Sequence, residues 1–464
     1  MTENINIKKE KVTTMYEQKN LAKGNVAKQL ILFAIPFVIS NIIQTLYSVA
    51  DMVIVGQFNG TASMSGVNIG GQVTMIILNV AVGISTGGTI MIAQSVGAEK
   101  THKLQKIIGT LLSTLIISAI ILTLLMLLLK DPILRLIHTP QESYAEASTY
   151  LMVTALGTVF IFGYNALSAI MRGMGDSKSP LYFVAIACAT NIILDLILVG
   201  VFHMGAFGAA LATIVSQALS LILCIIYLRR RKFVFDFNFS SFRIDLEQFR
   251  NILKLGIPLT IQNLISNLSF LFMTALVNNM GVTASAAVGA VGKYNSFAIL
   301  PAIAMNAAVS AMVAQNIGAQ KEDRAIKTML TGMGLAYAIS IPIFILTTIF
   351  PEEVLRMFSA DAELIAVGVP YLRVFSIDYL LVPVAFCLIG FCIGAGHTSF
   401  SLFSNIMSAI VIRIPMAYLL SEVAGLGLQG VGMAVPLATV TAIILGLWFF
   451  FSGRWKRRTV KIEE

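Results

Sequence analysis

Two aspartates stand in otherwise apolar stretches of this 464-residue sequence, where a carboxylate is costly to bury. Asp195 follows Asn191 by four residues, so on a helix the carboxylate and the amide point to the same side, one turn apart. Asp51 lies in a second apolar run, from Gln29 to Val55. Acids at such positions mark ion or proton pathways, because each can exchange a proton or be held ionised by a bound metal cation.

Neutral oxygen ligands in the same half of the chain could complete a cation site. Gln44 precedes Asp51 by seven residues, which is two turns along one helix face. Polar side chains of this kind in membrane helices often serve only to bond a neighbouring helix. Beside two carboxylates, however, they resemble the oxygen ligands of a hard cation such as Na⁺. The residues concerned are Gln44, Asn165, Asn191 and Thr213.

A third aspartate, Asp378, differs from the first two because basic residues are available to it. No Lys or Arg falls within a predicted span of the first half of the chain. The second half has Lys293, Arg373 and Arg413 in or near its spans, so Asp378 and Arg413 can form a pair. A structural ion pair and a functional role are both open for Asp378.

Composition assigns the chain to the polytopic membrane proteins. It is 57% hydrophobic and 12% charged, against roughly 25% charged residues in soluble domains. Repeated apolar runs have about the 20 residues that a helix needs to cross a bilayer. We therefore predict an all-α protein with twelve transmembrane helices, near residues 29–55, 66–93, 108–130, 146–170, 180–200, 206–228, 251–277, 285–315, 329–350, 363–393, 400–421 and 429–452.

Basic residues are concentrated in the two tails and in every second connection between spans. These segments hold 26 of the 32 Lys and Arg residues. Because cytoplasmic loops of membrane proteins are enriched in Lys and Arg, both termini are predicted to lie in the cytoplasm. The same distribution explains the net charge of +9 without a nucleic-acid partner.

A polar linker divides the chain into two similar halves. Short motifs recur 221 or 222 residues later, such as Ile35-Pro36 as Ile257-Pro258 and Gly173 as Gly394. Six spans per half is an even number, so both halves enter the membrane from the same side and form a parallel repeat. The predicted parts are a cytoplasmic tail 1–28, a six-helix bundle 29–228, a cytoplasmic linker 229–250, a second six-helix bundle 251–452 and a cytoplasmic tail 453–464.

The polar site is not duplicated together with the scaffold. Counted along the repeat, Asp51 falls on Met273 and Asp195 on Met416, whereas Tyr150 keeps its counterpart. A group that served only the architecture would be expected in both copies. The asymmetry therefore favours a functional role for the two acids.

Pro36 lies in the cytoplasmic half of the first span. A proline inside a helix removes a hydrogen bond and kinks the axis. A static kink and a hinge that bends when Asp51 is protonated are both open at this position.

Taken together, these residues resemble the multidrug and toxic compound extrusion (MATE) family, and within it the prokaryotic DinF-like branch. The resemblance covers nearly all of residues 25–455. The motifs that carry it are Ile35-Pro36, Gln44 to Gly56, Ala93-Gln94 with Gly97-Ala98, Arg172 to Asp176, Asn191 with Asp195, and Gly205 to Ala210.

The resemblance implies two six-helix bundles that form a V-shaped central cleft, with the coupling site in the N-terminal bundle. The residues that match cation-binding positions of the branch are Asp51, Asn191, Asp195 and Thr213. Those that match neighbouring polar positions are Gln44, Tyr150 and Asn165, and Pro36 matches the proline at which the first helix bends. Other branches place a coupling acid on the seventh span, which carries none here, so only Asp378 keeps coupling through the second bundle open.

The function implied is a secondary antiporter that exports lipophilic organic cations in exchange for H⁺ or Na⁺ by alternating access. We expect a monomer in the prokaryotic inner membrane, among lipids, with no cofactor other than the coupling ion and no enzymatic activity. The alternative of a lipid or lipid-linked saccharide flippase would require basic residues for phosphate, which the N-terminal spans lack. An enzyme would require a nucleophile, metal or histidine constellation, and none is apparent; a channel or receptor fits the duplicated halves less well.

Overall fold

The computed structural model describes residues 20–231 and 233–457, and all regular structure in these residues is helical. The α-helices are α1 Val26–Gly97, α2 Thr101–Leu136, α3 Gln141–Leu156, α4 Thr158–Gly173, α5 Lys178–Asp195, α6 Gly205–Arg230, α7 Leu246–Asn278, α8 Val282–Ala298, α9 Leu300–Gly318, α10 Glu322–Ile349, α11 Pro351–Arg356, α12 Ala362–Ser376, α13 Asp378–Gly394, α14 Thr398–Ile406, α15 Ile414–Tyr418 and α16 Gly427–Phe451. Three π turns, Leu196–Val201, Met407–Arg413 and Leu419–Val423, continue α5, α14 and α15, and 3₁₀ turns form at Phe239–Ser241 and Arg454–Lys456.

The described helices account for twelve membrane-spanning segments. Ten are long and apolar enough to cross a bilayer, and the bent pair α3 and α4, at 51°, makes eleven. The longest, α1, has 72 residues but is broken at Gly60, where φ is 78°, so it consists of two spans. An α-helix of that length would extend about 108 Å, far beyond the roughly 30 Å of a bilayer core. The protein is thus an all-α, multi-pass membrane protein, as predicted.

The chain folds into two compact units whose boundaries fall inside helices. One unit comprises Ile39–Ile257, and the other combines Leu21–Val38 with the chain from Pro258 onward. The sequence-based boundaries at residues 29 and 251 lie elsewhere: the start of α1 belongs to the second unit, and the start of α7 belongs to the first.

Packing explains why the start of α1 belongs to the second unit. Leu30, Phe33 and Ala34 are buried in a core cluster with residues of α9, α10 and α13, including Met312 and Phe391. Sequence periodicity reports that a helix has an apolar face, but not which helices cover it. The exchange was therefore not predictable from the spans alone.

The start of α7 packs in the same way within the first unit. Gly256 approaches the backbone of Ile84 so closely that a Cβ atom at Gly256 would lie 2.8 Å from Ile84 Cα. Gly87 approaches Ile252 reciprocally, with a Cβ at 2.8 Å from its carbonyl oxygen. Each unit thus contains the first turns of the helix that otherwise belongs to the other.

The parallel repeat is visible in the helix boundaries. The ends of α4 and α13 are separated by 221 residues, whereas the starts of α6 and α16 are separated by 222. The additional residue is accommodated where the second copy has an extra π turn, Met407–Arg413. Counted after this turn, the counterpart of Asp195 is Ala417 and not Met416, and it is again not an acid.

The polar linker after α6 is anchored by Asp236. Its carboxylate accepts hydrogen bonds from the Ser241 hydroxyl at 2.5 Å and the Asn238 backbone N–H at 3.2 Å. These bonds hold the pKa of Asp236 below its ordinary value, because they favour the ionised form.

Candidate cation-binding site

The first unit buries two carboxylates that lack complete hydrogen bonding. Asp195, the last residue of α5, is 0% exposed, and Asp51, on the first segment of α1, is 9% exposed. In each, Oδ1 is shielded and has no hydrogen-bond partner among the described residues. The two carboxylates lie near enough to interact electrostatically. No ion pair found in the described chain involves either one.

Asn191 connects Asp195 to α6. Oriented so that both ends of its amide are satisfied, it donates from Nδ2 to Asp195 Oδ2 at 3.2 Å and accepts on Oδ1 from the Thr213 backbone N–H at 3.2 Å. The one-turn spacing within α5 places the amide beside the carboxylate. Small side chains on α6, such as Ala209 and Ala210, are fully buried and permit a close approach of the helices around it.

Two tyrosines complete the surroundings of the acids. Tyr150, on α3, is buried, and both Tyr150 and Tyr47 interact electrostatically with Asp51 and Asp195. The sequence analysis included Tyr150 but not Tyr47. Its signal was available, because Tyr47 precedes Asp51 by four residues and therefore occupies the same face of α1.

A π turn, Leu196–Val201, follows Asp195 directly. Such turns widen the helix, shift the hydrogen-bond register by one residue and occur frequently at functional sites. The Val199 carbonyl accepts a hydrogen bond from Asn59 Nδ2 at 3.1 Å, next to the break of α1 at Gly60. The segment after Asp195 is thereby attached to the end of the helix that carries Asp51.

Three of the predicted residues are not joined to the carboxylates by any hydrogen bond that the described chain contains. Gln44 is exposed. Asn165, on α4, donates from Nδ2 to the Ile161 carbonyl of its own helix at 2.8 Å. Pro36 lies 15 residues before Asp51, about 22 Å along the helix, and belongs to the second unit.

In the second unit, Asp378 begins α13 and is buried, while Arg413 ends the π turn Met407–Arg413. The two side chains interact electrostatically but form no ion pair within 4.0 Å. The Arg413 guanidinium instead stacks on Phe270, 4.6 Å from the ring centroid.

The chemistry of the first-unit cluster suits a small cation. It offers carboxylate oxygens without donors, together with amide, hydroxyl and phenol groups that are neutral. Two carboxylates held close together in a buried setting repel each other, and a proton or Na⁺ between them removes the repulsion. No group of three His, Cys, Asp or Glu that could hold a metal occurs in residues 20–231 and 233–457. A metal ion here would therefore need the neutral oxygens as ligands.

A family model described as MatE matches the chain twice, over residues 36–197 and 258–419, together more than two thirds of it. The chain belongs to the MatE family. The two matches are 222 residues apart, which agrees with the parallel repeat.

Relatives of this MatE protein extend over nearly its whole length. It is 30% identical to the probable multidrug resistance protein YpnP of Bacillus subtilis, over 96% of this chain and 99% of that protein. The probable multidrug resistance protein NorM of Thermotoga maritima is 25% identical, over 95% of both. A solved structure, described as an outward-facing multidrug resistance MATE family transporter, shares the fold with a TM-score of 0.88 at 23% identity, covering 94% of this chain and 98% of that one.

Proposed function

We propose that this MatE protein is a multidrug exporter that couples the efflux of lipophilic organic cations to the inward movement of H⁺ or Na⁺. The observation that carries the proposal is the pair of buried carboxylates, Asp51 and Asp195, each with an oxygen that no donor satisfies. The names of the relatives support the substrate class. They do not favour the alternative of a lipid or saccharide flippase.

In this proposal each residue of the cluster has a defined task. Asp51 and Asp195 take up the coupling ion, which they hold between them as a proton or as Na⁺. Asn191 fixes the orientation of Asp195 through its bond to Oδ2 and ties it to α6. Thr213 supplies a hydroxyl near the same amide, with Oγ1 3.4 Å from it.

Export against a gradient follows if the ion and the drug weaken each other's binding. Such coupling is reciprocal, so an ion that lowers drug affinity is itself displaced by the drug to the same degree. About 1.4 kcal/mol is available per unit of pH difference, and about 2.3 kcal/mol per charge per 100 mV. These free energies sustain roughly tens-fold to hundreds-fold accumulation of substrate. The transporter would expose the site alternately to the two sides of the membrane.

The setting that we propose is the cell membrane of a prokaryote, with both termini in the cytoplasm and the protein active as a monomer. The distribution of Lys and Arg supports this orientation.

The test is ethidium efflux from everted membrane vesicles, driven in turn by a pH gradient and by a Na⁺ gradient. Efflux under one of the two gradients assigns the coupling ion. Asp51→Asn and Asp195→Asn should each reduce gradient-driven efflux to background, because an amide neither exchanges a proton nor carries the charge that holds Na⁺.

Glu142→Gln serves as the control. It is the same acid-to-amide change at an exposed position in the first turn of α3, and should leave efflux unchanged. All variants should be present in the membrane in equal amounts and elute as single species on size exclusion. Undiminished gradient-driven efflux in both aspartate variants would refute the proposal.

A further inference from the structure

The second unit contains a guanidinium group whose donors are only partly used. Arg413 lies inside the apolar segment Thr398–Val423, which is long enough to span the membrane. Its Nε and Nη1 atoms are shielded from solvent and have no acceptor among the described residues. Arginines within membrane segments face a partner or a polar pathway because an unpaired charge is costly there. Arg413 therefore requires an acceptor that its own fold does not provide.

Asp378 does not fill this role. The two side chains sense each other electrostatically, yet no ion pair within 4.0 Å joins them in the described structure. Oδ1 of Asp378 is buried and has no hydrogen-bond partner there either. A pair that existed only for the architecture would be expected in contact, since separated buried charges are destabilising. The arrangement fits a pair that is held apart to admit a third group.

The surroundings are aromatic. Phe270 covers one face of the Arg413 guanidinium at 4.6 Å and leaves the donors at its edge to point elsewhere. Beside Asp378, the ring of Tyr379 packs against Tyr294 at 6.3 Å, and its hydroxyl is buried without a partner. A ligand of this region would meet aromatic surface as well as charge.

The other basic candidates of the second unit do not share these features. Lys293, on α8, and Arg373, on α12, are both exposed. Arg413 alone of these three has buried donors.

We propose that Arg413 anchors a second binding site, separate from Asp51 and Asp195, for the carboxylate of a small organic molecule with an apolar body. The planar guanidinium can donate two parallel hydrogen bonds to a carboxylate, a geometry that a spherical anion cannot use. Phe270 holds the guanidinium in place, and the neighbouring aromatic side chains receive the apolar part of the ligand. Asp378 lies close enough to oppose a negative charge, so it limits the affinity of the site.

The test is equilibrium binding of radiolabelled benzoate to the purified full-length protein, in a sulfate buffer without chloride. Wild type should bind benzoate saturably. Arg413→Gln should lower the affinity at least tenfold, and Arg413→Lys should lower it less, because a lysine keeps the charge but loses the paired donors. The control Arg373→Gln, an exposed arginine of the same unit, should bind as wild type does.

A further variant distinguishes a site from a merely damaged fold. Asp378→Asn should bind benzoate several-fold more tightly, because it removes a negative charge near the ligand. Unchanged binding in Arg413→Gln, weaker binding in Asp378→Asn, or no saturable binding by wild type would each overturn the proposal. Equal displacement of benzoate by chloride and by acetate would overturn the assignment to an organic carboxylate. Asp51→Asn should bind benzoate normally, so this result is independent of coupled export.

Discussion

Among the buried polar residues of the spans, those of the candidate site are distinguished by what their hydrogen bonds connect. Asn165 bonds back to its own helix, which is how a solitary amide is satisfied in an apolar setting. Asn191 instead joins a carboxylate on α5 to the backbone of α6. The two asparagines are alike in the sequence, but only the second is placed to orient an acid.

This difference predicts unequal effects of the same substitution. Asn191→Leu leaves Asp195 Oδ2 and the Thr213 N–H without partners, so unfolding in detergent should become easier by about 1–3 kcal/mol. Efflux of ethidium should fall strongly as well. Asn165→Leu removes only a local bond and should have a much smaller effect on both. Equal thermal stability and efflux for the two variants would contradict the role assigned to Asn191.

At the scale of helices, glycines determine how closely the site residues approach. A Cβ atom at Gly70, in the second segment of α1, would lie 2.6 Å from Cδ1 of Tyr150. The adjacent Gly71 has nothing within 4 Å of such an atom. The ring of Tyr150 therefore reaches the carboxylates only because Gly70 has no side chain.

Gly70→Ala should displace Tyr150 and destabilise the protein by about 1–3 kcal/mol, as overpacking does in other well-packed interiors. Gly71→Ala adds the same methyl group into open space, and should be neutral or slightly stabilising because alanine favours helix. Thermal unfolding and ethidium efflux of the two variants provide the comparison. A Gly70→Ala protein as stable and active as Gly71→Ala would show that the close contact is unimportant.

The segment before α1 is attached to the second unit by Arg324 of α10. Its guanidinium donates to the carbonyls of Leu21 at 3.2 Å, Lys23 at 3.1 Å and Gly24 at 2.7 Å. The Leu21 N–H donates in turn to the buried Gln315 side chain at 2.9 Å. Charge-assisted hydrogen bonds of this kind are stronger than neutral ones.

Arg324→Gln should therefore loosen the start of α1. We expect amide hydrogen exchange in the first turns of α1 to accelerate about tenfold, corresponding to about 1.4 kcal/mol of lost local stability. The control is Lys327→Gln, an exposed cation one turn further along α10. If both variants exchange at the wild-type rate, the hydrogen bonds of Arg324 do not hold this segment.

At the scale of the whole molecule, the even number of spans in each half makes the repeat parallel, and the basic connections predict a single orientation. Three of the four cysteines are buried and Cys188 is half-buried, which favours labelling of introduced cysteines over the native ones. Gln141→Cys and Asp323→Cys introduce exposed thiols at the starts of α3 and α10.

A membrane-impermeant maleimide should label Gln141→Cys in intact cells and Asp323→Cys only in everted vesicles. The reason is that the connection before α3 is predicted to be external and the connection before α10 cytoplasmic. Wild type, with its native cysteines, provides the background. The opposite pattern of labelling would reverse the orientation that we propose.

The sequence by itself determined the properties that depend on composition and local period. It identified a polytopic membrane protein, twelve spans, a parallel repeat and two acids without basic partners, because apolar length and charge position are constraints imposed by the bilayer. The one-turn spacing of Asn191 and Asp195 was likewise readable, since it depends only on helix geometry.

Tertiary structure alone decided which helices meet. It assigned Leu21–Val38 to the second unit, inserted a π turn after Asp195, brought Tyr47 and Tyr150 to the acids, and left Asp378 and Arg413 apart. Membrane helices share nearly the same apolar surface, so their partners are selected by small residues and shape at long range in the chain. That information is distributed over the whole sequence and is not contained in any single span.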